Sequence, residues 1–405
     1  MQGELDFDFD TICGGFGLEP PVQIALWREG ALLSAGETET KMAGGAHFHI
    51  YDDAGIITHM LTLEPSYKKS DDLTEEYLAL QILMQTDSEL GRPLEMLLAH
   101  TQKPYLFRHN RLWTMRPFFN AFPQYDWREM LWDEEIARRG GAMLASMHLA
   151  IDWQAGSKNM HKLFKPLKRE LQWRHLCLNR LERAYALASE FIEDEDVDFS
   201  LDSAQALLNH LSGSLSEVQE AQSMIGNWLK TNEIDRLWET VVHGDYHPGN
   251  LLFALEPDAV DKEIRVIDFD FARADDPFYD YAYGRVMFAG TFRDSDWNGQ
   301  TLFHPHLARA FDMGYRGVLE REYSQDDAWK KPWIEVWLGI LPNVDEHAIE
   351  TTNEALVKDL LGPYYELSLA LILAFELETW LAQAQGLSAC NDTTVRIVKN
   401  LNRFL

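Results

Sequence analysis

Apolar and polar residues alternate in short runs near the start of the chain and shift to a spacing of three to four further on. PVQIALW, ALLSAG, HFHIYDD and IITHMLTL follow one another between residues 21 and 63, separated by Arg28-Glu29-Gly30, Gly44-Gly45 and Asp52-Asp53-Ala54-Gly55. Apolar runs bounded by turn formers predict a small antiparallel sheet. Gly44-Gly45 reads either as a plain hairpin turn or as a loop that lets backbone N–H groups approach a phosphate, since glycine tolerates positive φ and close contact. Ser70-Asp71-Asp72 then offers N-cap residues to LTEEYLALQILMQ, where Leu73, Tyr77, Leu80 and Leu83 or Met84 mark one helix face. NRLWTMRPFF, residues 110–119, reads as a strand closed by proline.

Helical spacing dominates from there. Residues 128–151 predict a helix that contains Gly140-Gly141. Each glycine costs a helix about 1 kcal/mol relative to alanine unless close packing offsets it. Residues 166–193 predict a long helix, and residues 203–230 continue the pattern with a break at Ser212-Gly213. Trp329, Trp333 and Trp337 recur every four residues, as one face of a helix does. At 405 residues the chain exceeds what one core usually supports. The predicted class is α+β: a small antiparallel-sheet lobe with one helix over residues 1–116, and a larger, mostly helical lobe over residues 117–405.

The chemistry concentrates in residues 241–272. VVHGDYHPGN places His243, Asp245 and Asn250 in an H-x-D-x-x-x-x-N array, and Asp268 and Asp270 follow in VIDFDFA. Phosphoryl transfer needs this inventory: a carboxylate to accept a hydroxyl proton, and an amide oxygen and a carboxylate to hold Mg²⁺ against nucleotide phosphates. LLFAL and EIRVIDF read as two strands of a hairpin, which would bring Asn250 and Asp268 to the same end. Carboxylate and carbonyl oxygens are the ligands that Mg²⁺ prefers. A rival reading takes His243, Asp245 and His247 as an H-x-D-x-H metal triad, suited to Zn²⁺ or Fe²⁺ in a hydrolase. The turn formers Tyr246-His247-Pro248-Gly249 oppose the strand that such a triad would need.

HGDYHPGN, VIDFDFA and the DPFYDYAY that follows resemble the aminoglycoside phosphotransferase and choline kinase group of small-molecule kinases. The resemblance implies a protein-kinase-like two-lobe fold and the use of ATP and Mg²⁺ to phosphorylate the hydroxyl of an amino alcohol, amino acid, sugar or aminoglycoside. It implies Asp245 as the catalytic base and Asn250 and Asp268 as metal ligands, with Asp270 as a further acidic group. It gives His243 and Asp280 supporting roles, and places Gly44, Gly45 and Glu76 on the nucleotide side. The lobes would join near residues 116–121. One position departs from the family pattern: Thr62 stands where the family's strand carries its phosphate-binding lysine. Lys41, Lys68 or Lys69 would have to substitute, or the chain is a noncatalytic nucleotide-binding protein.

Composition narrows the partners. The formal charge of −29 opposes nucleic acid as a partner. It favours a small-molecule acceptor, and a cationic one if acidic groups cluster at the acceptor site; a solvated acidic surface accounts for the same charge. The Trp-bearing region beyond Tyr283 either anchors a core or offers rings to an ammonium group. LSLALILAF, residues 367–375, is flanked by Glu366 and Glu376 and falls short of the ~20 apolar residues of a membrane span. Three dispersed cysteines (Cys13, Cys177, Cys390) and an acidic start without a signal-peptide pattern lead us to expect a reducing, cytoplasmic setting.

Overall fold

The computed structural model describes residues 7–19, 23–29, 46–64, 68–84, 92–93, 96–119, 134–149, 216–217, 220, 223, 240–253, 264–269, 271–275, 277–290, 304–325, 331–341, 364–365 and 368. The chain divides into two units, Met1–Pro123 with Leu252–Arg273, and Gln124–Leu251 with Ala274–Leu405. Gly44, Gly45, Lys41, Asp270 and the helix expected over 166–193 lie outside the described residues.

In the first unit, helix α1 (Phe9–Gly15) precedes strands β1 (Gln23–Glu29), β2 (Ala46–Tyr51) and β3 (Ile57–Leu63), then helix α2 (Ser70–Leu83). The two-residue β4 (Arg92–Pro93) is followed by β5 (Leu106–Arg108) and β6 (Arg111–Pro117). Five strands form one sheet in the order β1-β2-β3-β6-β5, with every pair antiparallel. The β2–β3 turn forms where Asp52-Asp53-Ala54-Gly55 predicts it. Asp52 Oδ1 accepts the N–H groups of Ala54 and Ile56, and Gly55 takes φ +77°. Alternation then sorts the sheet faces. Phe48, Ile50, Leu61, Leu63, Trp113 and Met115 are buried on one face, against Ile12 and Cys13 of α1. Thr62 pairs with Thr114, and Met60 with Arg116, so the opposite face carries polar groups. A second sheet runs β4-β9-β8, with β8 (Leu251–Phe253) beside β9 (Ile264–Val266) as the expected hairpin requires.

The second unit holds α3 (Glu134–Leu149), β7 (Thr240–Val242), β10 (Arg273–Asp275), α4 (Pro277–Ala289), α5 (Pro305–Ser324) and α6 (Lys331–Ile340). β7 pairs with β10. Trp337 of α6 is buried against Phe278, Tyr281 and Tyr315, with ring centroids 4.2, 5.4 and 4.9 Å away, and serves as a core anchor. The glycine pair of α3 has its packing reason. A Cβ on Gly141 would sit 2.0 Å from the Phe311 carbonyl oxygen of α5, and one on Gly314 would sit 1.8 Å from the Arg138 carbonyl oxygen of α3. The two backbones touch where both residues lack a side chain. Among the described residues no helix is long and apolar enough to cross a membrane.

This contact predicts a stability result opposite to helix propensity. Gly141→Ala should destabilise by about 2–3 kcal/mol, because the neighbour is backbone and cannot rotate away. Gly317→Ala, on α5 with open space around it, should raise the melting temperature. Thermal unfolding of the two variants checks both.

Candidate active site

β7 ends in buried residues and delivers the chain into an eight-residue loop, 243–250. Residues 243–247 form neither helix nor strand, so their backbone polar groups need other partners. Gly244 takes φ +82°, a conformation that glycine reaches without a Cβ penalty. Asp280, on α4, supplies the main tie: its Oδ2 accepts the His243 N–H at 2.7 Å and its Oδ1 the Gly244 N–H at 2.9 Å. Tyr246 is fully buried, and its hydroxyl donates to the Gly140 carbonyl of α3 at 2.7 Å. Pro248–Asn250 closes the loop as a 3-10 turn, with His247 Nδ1 accepting the Gly249 N–H at 3.1 Å.

Asp280 is backed by a second layer. His148, at the end of α3, meets Asp280 Oδ2 through Nε2 at 3.2 Å and Tyr315 of α5 through Nδ1 at 2.7 Å. A carboxylate only accepts, so Nε2 carries the proton. Thr240 donates to the His148 carbonyl at 3.0 Å, which ties β7 to the same helix end. Burial by itself pushes the Asp280 carboxyl up. The His148 hydrogen bond and charge, the nearby His243 and the loop N–H outweigh it and hold the group below the ordinary carboxylate value.

Within the loop, Asp245 stands partly in solvent, with its side chain 28% exposed. Its N–H donates to His243 Nδ1 at 3.3 Å, and its carbonyl accepts from Asn250 Nδ2 at 2.9 Å. Tyr283 donates its hydroxyl to Asp245 Oδ1 at 2.7 Å. His247 Nε2 lies 3.8 Å from Oδ2, and burial, against the pull of Asp245, pushes its imidazole below the ordinary histidine value. A neutral ring agrees with its acceptor role toward Gly249. His243 is buried inside the loop and donates its own N–H to Asp280. Among the described residues no three His, Cys, Asp or Glu side chains are grouped to hold a metal, the H-x-D-x-H string included.

The first unit holds the other predicted residues. Asp268, just past β9, is exposed and adopts φ +63°, uncommon for a residue other than glycine. Glu76 of α2 is buried between two cations: Lys68 Nζ lies 3.0 Å from its Oε2, and Arg116 of β6 bonds its Oε1. Lys68 also reaches Glu64 at 3.3 Å, and Thr114 donates to Glu64. Burial pushes the Glu76 carboxyl up; the Arg116 and Lys68 charges overcome this and hold it below its ordinary value. Thr62 is hydrogen-bonded with His47 at 3.0 Å. Lys69 is exposed, with its N–H on Asp72.

Several of these residues escaped the sequence reading. His148 had a faint signal as a polar residue closing the apolar stretch GAMLASMHLA. Tyr283 lies three residues after Asp280, on the same helix face. Tyr315 and Arg116 act across long separations that no local pattern carries.

Residues 132–321 match the model of the phosphotransferase enzyme family. No curated protein matches the chain. Among solved structures, an ethanolamine kinase of Plasmodium vivax aligns at TM-score 0.51 and 13% identity, over 95% of this chain and 82% of that one. A choline kinase from Cryptosporidium parvum Iowa II aligns at 0.48 and 10%, over 95% and 88%. A spectinomycin phosphotransferase in complex with ADP and spectinomycin aligns at 0.44 and 13%, over 91% and 97%. The first of these shows the fold: that of the protein-kinase-like small-molecule kinases, α+β with a sheet-bearing and a helical part.

Asp280 predicts a pH dependence. A carboxylate whose folded pKa is depressed contributes stability that is complete above its unfolded value and drains away as pH falls through the folded one. Asp280→Asn should cost about 2–3 kcal/mol at neutral pH, the scale for leaving buried donors unsatisfied. The gap in melting temperature between wild type and variant should narrow as the pH is taken below the ordinary aspartate value of 3.8.

Proposed function

We propose that this chain, a member of the phosphotransferase enzyme family over residues 132–321, transfers the γ-phosphoryl group of ATP to a hydroxyl of a small molecule with the help of Mg²⁺. The observation that carries this reading is the partly exposed Asp245 carboxylate, set on a loop whose backbone is held from within by Asp280. Asp245 accepts the acceptor's hydroxyl proton. The acceptor oxygen forms its bond to the γ-phosphorus as the bond to the bridging oxygen breaks, and ADP leaves with that electron pair. Catalysis is chiefly positioning, because the base is prepaid in orientation by the loop.

Asn250 and Asp268 are the proposed metal ligands. Asn250 spends its amide N–H on the Asp245 carbonyl, so its amide oxygen is the atom offered to a hard cation. Asp268 offers an exposed carboxylate from a backbone conformation that costs energy, a feature that clusters at functional sites. Bound Mg²⁺ would neutralise phosphate charge. Asp270 remains part of the proposal as a further acidic group, and Gly44 and Gly45 as residues on the nucleotide side. Lys68 is the proposed substitute for the lysine missing at Thr62, since its ammonium lies against Glu76.

The acceptor is a small molecule, and the acidic chain favours a cationic one. An ethanolamine kinase shares the fold, so amino alcohols belong in the acceptor panel with amino acids, sugars and aminoglycosides. A cytoplasmic location fits the sparse cysteines.

Two substitutions test the assignment. Asp245→Asn keeps the size of the side chain and removes the proton acceptor; turnover should fall by about 10²-fold or more with nucleotide affinity little changed. Near-normal turnover in that variant would sink the role of Asp245. Lys68→Ala should raise the ATP Michaelis constant by about tenfold, the scale of ~1.4 kcal/mol, while Lys69→Ala leaves it as in wild type. If Lys68→Ala binds ATP as wild type does, the nucleotide is held by other groups.

A further inference from the structure

The helix that fixes the backbone of the loop also reaches the side chain that the loop presents. Asp280 and Tyr283 lie three residues apart on α4 and therefore project from the same face. Asp280 takes the His243 and Gly244 N–H groups, and the Tyr283 hydroxyl donates to Asp245 Oδ1 at 2.7 Å. We propose that Tyr283 is a positioning residue for Asp245, locking one carboxylate oxygen so that the other faces the acceptor hydroxyl. The proposal rests on the reading of Asp245 as the base.

A carboxylate on a solvent-facing loop rotates about its last torsion unless something holds it, because that torsion is broad. A base must keep its accepting oxygen within hydrogen-bond reach of the proton it takes. A bond to Oδ1 breaks the equivalence of the two oxygens and leaves Oδ2 as the acceptor. The Tyr283 ring is itself held: it lies against Tyr279, one turn earlier on α4, with centroids 5.9 Å apart and planes 31° apart, and Tyr279 is buried. His247 borders the other oxygen, with Nε2 3.8 Å from Oδ2, so Oδ2 has a neighbour without a short bond to it. Tyr283 keeps its own proton throughout; the proton of the acceptor goes to Asp245. One helix thereby sets both the path of the loop and the aim of its carboxylate.

The test is Tyr283→Phe, alone and combined with Asp245→Asn, in the full chain. ADP release from MgATP is measured with the acceptor panel and with water as the sole acceptor, alongside thermal unfolding. The single variant should lose about tenfold in kcat, the scale of one hydrogen bond to a charged group. Its Michaelis constants for ATP and acceptor and its melting temperature should stay at wild-type values. In the Asp245→Asn background the same substitution should cause no further loss, since the group being aimed is gone. Wild-type kcat in Tyr283→Phe overturns the positioning role and leaves the Asp245 reading intact. An equal loss in both backgrounds, or a loss that tracks a fallen melting temperature, also overturns it, by assigning Tyr283 to the fold. Normal turnover in Asp245→Asn alone removes the base, and the proposal with it.

Discussion

The Asp280 carboxylate is wholly buried and accepts two consecutive backbone N–H groups and an imidazole N–H. A buried charge is tolerable only when its lone pairs are filled, and here the fillers are the parts of the molecule that must be placed. The His243–Gly244 backbone sets the direction in which the loop leaves β7. His148 connects the same carboxylate to α3, and Tyr315 connects His148 to α5. Helices α3 and α5 in turn meet glycine to backbone at Gly141 and Gly314. A chain of contacts thus runs from helix packing to the peptide before Asp245, with no flexible side chain standing alone in it. Satisfied buried networks of this kind rigidify what they hold.

The first unit solves a separate electrostatic problem. Glu64, Glu76, Lys68 and Arg116 are all largely removed from water, two of each sign. Removing one member leaves an uncompensated charge, which is why such a cluster keeps its geometry. Thr62 lies on β3, paired with Thr114 and hydrogen-bonded with His47. Arg116 comes from the adjacent strand on the same face, and Lys68 from the segment joining β3 to α2. Glu76 is therefore held from two directions by residues outside β3.

Much of this was readable before any coordinates. Short apolar runs bounded by turn formers or proline located β1, β2, β3 and β6, because strand ends are marked by local turn chemistry. The Asp52 turn was visible, since an aspartate that caps its own turn is a local event. The motif residues from His243 to Asn250 stood out by chemical type and spacing. What was hidden is nonlocal. Whether Gly140-Gly141 weakens a helix or allows close packing depends on Gly314, far along the chain. The choice among Lys68, Lys69 and Lys41 depends on the path after β3, and the pairing of Arg116 with Glu76 joins residues 40 apart in sequence. Tyr283 looked like the end of a motif because its partner, Asp245, lies on the loop and not on the helix.

The central claim is that the loop carrying Asp245 serves phosphoryl transfer from ATP to a hydroxyl. Phosphorus NMR of the purified chain with MgATP and the acceptor panel tests it directly. The account predicts that the γ-phosphate signal declines while ADP and a new phosphomonoester resonance rise together, with one acceptor class preferred. Unchanged ATP in the presence of every acceptor, together with nucleotide binding that persists, would contradict it and identify a noncatalytic nucleotide-binding protein.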